Sequence, residues 1–157
     1  MATITDSGLS AYELERGKPM PSYNHGKIQA RLIVALARYA DRYDTLSELS
    51  LSLTGEHFPP VITLYPNQPT DWHHDQIRVE KAPVLAVEIL SPTQGFNSLV
   101  PKLDAYFAHG VKSCWIIQPG LKTLTVFHSP HESATYDRGM VRDDAVGVEV
   151  DLDALFA

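Results

Sequence analysis

The chain has 157 residues, 44% of them hydrophobic and 20% charged; that length suits one domain with a single core, and the composition excludes disordered and fibrous classes. A single cysteine, Cys114, excludes an intrachain disulfide and a cysteine-rich zinc site. The formal net charge of −6 argues against strong nonspecific binding to nucleic acid, but the charge is uneven. Residues 131–157 carry seven acids against two bases, whereas 16–42 carry six bases and Asp41 as the lone acid.

In chain order, the first ten residues are small and polar and read as a flexible arm, followed by two short extended pieces around Gly17 in "YELERGKPM". The N-terminus lacks the basic and apolar regions of a signal peptide, and no apolar stretch approaches the ~20 residues of a membrane span, so a cytoplasmic location is expected. From about Gly26 to Arg42, Ile28, Leu32, Leu36 and Tyr39 recur at helical spacing, with Asn24 as the expected cap. Lys27, Arg31, Arg38 and Arg42 fall in one stripe beside that apolar face. This stripe is either a solvated helix edge or a surface for phosphates.

"LSELSLSL" alternates and "PPVITLYP" is β-rich, which predicts neighbouring strands. The polar stretch from Asn67 to Lys81 reads as a long loop, containing His73 and His74. Adjacent histidines in extended chain point opposite ways and make a poor chelate. "VLAVEIL", Val84 to Leu90, reads as a central strand. A helix from about Ser98 to His109 follows, with Pro101 in its first turn and Gly110 at its C-terminal cap. "KSCWIIQP" and "TLTVFHS" predict two more strands around the turn "PGLK". A strand near Val146 to Val150 and a short terminal helix close the chain, whose apolar end suggests a homodimer contact. The expected architecture is α/β: one mixed central sheet flanked by helices, in a single domain over 1–157 with an acidic C-terminal extension at 131–157. Strand, helix and strand from Val84 to Ile117 predict a parallel crossover.

Within that central strand Glu88 shares a face with Val84, Ala86 and Leu90. An unpaired carboxylate there costs several kcal/mol, on the order of a buried charge, so it needs a cation or strong donors. Lys102, one turn into the following helix, is the candidate partner. The pair reads either as a structural ion pair or as half of a metal site with a charge-stabilising lysine. Ser91 lacks a nucleophile-elbow pattern, and His25 is placed either to cap the first helix or to face a site.

Taken together, "YELERGKPM", a histidine before a long helix, "VEILSPTQG", "KLDAYFAHGVKSCWIIQP" and "TLTVF" resemble, in order and spacing, the Uma-type restriction endonuclease family of the PD-(D/E)XK nuclease superfamily. The resemblance implies a restriction endonuclease-like core and a magnesium- or manganese-dependent site that hydrolyses DNA phosphodiesters, in which two acids hold the metal. Glu88 matches the strand glutamate, Lys102 the basic residue, and Glu13 an N-terminal acid beside the metal. Lys27, Arg31 and Arg38 become candidate phosphate contacts. At the motif aspartate this sequence has Val61, which cannot ligate a metal. Two readings stay open: a metal-dependent endonuclease, or a catalytically degenerate nuclease fold serving as a binding or assembly module.

Overall fold

The computed structural model describes residues 21–92 and 94–157; the N-terminal arm, the "YELERGKPM" segment and Glu13 lie outside them. The first described helix, α1, spans Tyr23–Leu36 and continues as a 3-10 turn to Tyr39. It starts three residues before the expected position because Ser22, not Asn24, caps it: the Ser22 hydroxyl accepts from the His25 amide at 3.3 Å. Ile28, Leu32 and Leu36 are buried, as their spacing demands.

The predicted strand at 46–53 is two strands. β1 is Tyr43–Ser47, Glu48 turns the chain with φ 56°, and β2 is Leu51–Leu53. β2 forms a hairpin with β3, Glu56–Phe58, across Thr54 and Gly55, both at positive φ, the turn whose twist matches paired strands. β4 is Ile62–Pro66 and β5 is Leu85–Ile89. After β5 comes α2, Val100–Ala108, with Pro101 in its first turn and Gly110 at φ 92° behind it. β6, Ser113–Gln118, and β7, Thr123–Ser129, follow as expected, joined through Lys122 in the left-handed region.

Among the described residues, six strands form a mixed sheet in the order β1-β4-β5-β6-β7-β8, where β8 is Glu132–Tyr136. All neighbours are antiparallel except β5 and β6, the parallel pair joined through α2. β8 belongs to the segment read as an acidic extension. The remainder of that segment is a hairpin of β9, Met140–Asp143, and β10, Val148–Asp151, followed by the short helix α3, Leu152–Leu155.

Each face of the sheet carries its own apolar cluster. Leu85, Val87 and Ile89 of β5 join α1 and the C-terminal hairpin through Val141, Val148, Val150, Leu152 and Leu155. Ala86 and Leu90 join α2 and the β2–β3 hairpin through Leu51, Leu53, Phe58, Leu103 and Tyr106. The period of two along β5 therefore decides what each residue meets. No helix among the described residues is long and apolar enough to cross a membrane.

Candidate functional site

Glu88 sits on the α2 face of β5 and is 5% exposed. The crossover lays α2 back over the sheet, and Lys102 and Tyr106, four residues apart, occupy one side of that helix. Both reach the same carboxylate oxygen: Lys102 Nζ donates to Glu88 Oε1 at 3.3 Å, and the Tyr106 hydroxyl donates to it at 2.7 Å. The Lys102 side chain keeps 23% of its surface exposed, so the buried carboxylate is connected to solvent through an ammonium on a flexible stem. Tyr106 is fully buried, and its phenol is pushed well above its ordinary pKa by burial first and by the neighbouring Glu88 charge second. It is therefore a hydrogen-bond donor with no charge of its own, and it holds Glu88 in one orientation. Its spacing of four from Lys102 was the available sequence signal for it, hidden because Tyr106 also reads as an apolar inner-face residue.

Val61 lies on the other side of this arrangement. It is buried in the apolar cluster beneath α1, its amide bonded to the Val87 carbonyl at 3.0 Å. The described residues hold no group of three His, Cys, Asp or Glu side chains able to take a metal. Glu88 offers the oxygen chemistry that hard cations select.

The basic stripe divides by use. Arg31 donates to the carbonyls of Leu155 at 3.0 Å and Ala157 at 2.6 Å, and Arg42 to that of Gly147 at 2.7 Å, so these two clamp the C-terminal segment onto α1 and the turn that precedes β1. Lys27 and Arg38 are exposed, each over a neighbouring tyrosine ring. Arg38 lies eleven residues, or roughly 16 Å, along the helix from Lys27. α1 is packed on the face of the sheet opposite Glu88. The apolar residues Leu152 and Leu155, which suggested a homodimer contact, are buried against α1 within the chain. In the long loop, Asp71 accepts from the His73 and His74 amides and from the His74 ring, and these bonds hold its carboxyl below the usual range. Cys114 is fully buried in β6.

A second buried carboxylate, absent from the sequence reading, lies on the α1 face. Asp143, 1% exposed, accepts from the Trp115 indole at 2.8 Å, the His128 ring at 3.0 Å and the Ala145 amide at 3.1 Å. It fastens the end of β9 to the central sheet.

The sequence matches the family model described as "Putative restriction endonuclease", Uma2, over residues 9–153. The chain belongs to the Uma2 family. Its fold is similar to the crystal structure of a "putative nuclease belonging to DUF820" from Anabaena variabilis, with a TM-score of 0.76 at 21% identity, covering 88% of this chain and 83% of that one. No curated protein matches the sequence. Uma2 membership and the shared nuclease-like fold agree with the resemblance carried by "VEILSP" and "KLDAYFAHGVKSCWII", and the parallel β5–α2–β6 unit is the part of the fold that brings those two motifs together.

Proposed function

We propose that this Uma2 member is a nuclease that hydrolyses DNA phosphodiesters at the Glu88–Lys102 pair. The observation that carries the reading is a carboxylate at the carboxyl end of a central strand, held by a partly exposed lysine at 3.3 Å, in a family whose model is described as "Putative restriction endonuclease". Glu88 is the residue that would hold magnesium or manganese, with Glu13 as the second acid; when bound, such an ion neutralises charge on the phosphate and lowers the pKa of its water. Lys102 supplies a positive charge beside the phosphate oxygens, and Tyr106 keeps the carboxylate from rotating as Lys102 turns toward substrate. Lys27 and Arg38, exposed on α1 and the turn after it, are the stripe residues left to contact flanking phosphates on that face of the sheet.

The burial of Val61 at the motif aspartate supports a second reading, a catalytically degenerate nuclease fold that serves as a binding or assembly module. Manganese-dependent cleavage of plasmid DNA separates the two. A nuclease requires that the wild type cleaves, that Glu88→Ala does not, and that Lys102→Ala loses on the order of 100-fold, as when one charge-stabilising donor is removed. A wild type that binds DNA without cleaving it supports the module. Cleavage that survives Glu88→Ala contradicts the assignment of this site.

A further inference from the structure

β5 and β6 are the parallel pair of the sheet, so their carboxyl ends open on the same edge, where ligands of open α/β sheets bind. A cleft of about 370 Å³ lies there, floored by Leu90 just after β5 and by Gln118 at the end of β6, and walled by Gln94, Phe96 and the start of α1 at Asn24. Its volume falls within the ~300–1,000 Å³ of ligand pockets.

Among the described residues, the lining has no charged side chain. Phosphates select lysine and arginine, whereas the edges of unpaired bases select amide side chains, and their faces select an aromatic ring. The cleft has the second chemistry. The Phe96 ring is 44% exposed and stacks on Phe127, 6.2 Å between centroids with 20° between planes. One face is thus braced by the core while the ring stands at the cleft. Gln94 is held as well: its Oε1 accepts from the Ser91 amide at 3.1 Å and from the Ser91 hydroxyl at 3.2 Å. Leu90, which begins the floor, shares the α2 face with Glu88. Two residues of strand span about 7 Å, which sets the floor of the cleft beside Glu88.

We propose that this cleft takes an unpaired nucleobase of the DNA strand, stacked on Phe96 and bonded along its edge by Gln118 and Asn24, so that the chain engages single-stranded or locally opened DNA next to Glu88. This rests on the nucleic-acid reading of the Glu88 site and adds the form of the substrate. Base-to-aromatic stacking is tolerant of sequence, so the cleft selects strand state more than base identity.

The test is fluorescence anisotropy of the full chain, with chelator present to prevent cleavage, on three probes of equal length: a single strand, its abasic counterpart and a blunt duplex. The wild type should bind the single strand at least about tenfold more tightly than the abasic strand, and Phe96→Ala should remove about 5- to 100-fold of affinity for the single strand, the range found for one stacked base. Abasic binding should not change, and Phe96→Tyr should retain the preference. Because Phe96 also packs on Phe127, Gln118→Ala serves as a second variant and should weaken the single strand alone. Equal wild-type affinity for single and abasic strands overturns the proposal, as does either alanine variant lowering both strands alike. Base-dependent binding without cleavage removes the hydrolase and keeps the cleft; cleavage without base preference does the reverse.

Discussion

Glu88 of the central sheet and Asp143 of the β9–β10 hairpin are both buried carboxylates, and they differ in their partners. Asp143 is enclosed by an indole, an imidazole and a backbone amide, with His128 42% exposed as its outer partner. Trp115 and His128 tie the β9–β10 hairpin to β6 and β7, and the Ala145 bond closes the hairpin's own turn. Glu88 is met by one fixed donor, Tyr106, and one movable cation, Lys102, whose end reaches solvent. A buried charge alone does not mark a site. Asp143 is anchored by an indole fixed in the core and serves stability, whereas Glu88 has its positive charge on a flexible stem that is free to exchange it for a ligand.

The comparison is sharpened most by Asp143→Ala, which leaves the fully buried Trp115 indole without an acceptor and breaks the His128 and Ala145 bonds. The expected loss is about 4 kcal/mol, read by urea unfolding; a loss below about 1 kcal/mol would remove Asp143 from the fold's structural anchors. Tyr65 gives the next effect. Burial pushes its phenol up to about 12, and its hydroxyl donates to the Lys81 carbonyl at 2.7 Å. Folding favours the protonated form, so this contribution is complete below pH ~10 and fades as pH rises toward about 12, worth about 3 kcal/mol in all. Tyr65→Phe should flatten the alkaline fall in melting temperature, and an unchanged slope would contradict it. The smallest effect belongs to Tyr106→Phe, about 2 kcal/mol for one hydrogen bond to a charged group. In that variant Glu88 keeps Lys102, so binding of DNA should persist while turnover drops; turnover at the wild-type rate would deny Tyr106 its positioning role.

Much of this was legible in the sequence because the signals are local. Period two along Val84–Leu90 put Glu88 opposite Val87, and the β5–α2–β6 order placed Lys102 above it. β8 was missed because all five of its residues are exposed at a sheet edge, leaving no alternation to read. β1 and β2 were merged because Glu48 adopts a positive φ with no glycine to announce it. Asp143 escaped notice for another reason: Trp115 is 28 residues away along the chain and His128 is 15, and neither spacing carries a periodic signal. Arg31 illustrates the limit of a charge stripe, since its partners are carbonyls at the far end of the chain.

Glu88→Gln and Asp143→Asn, compared for manganese-dependent DNA cleavage per folded molecule, test the central claim most directly. Glu88→Gln should melt close to the wild type yet show no cleavage, while Asp143→Asn should melt lower and cleave at the wild-type rate. Cleavage by Glu88→Gln, or its loss in folded Asp143→Asn, would mean that the two carboxylates have been assigned the wrong way round.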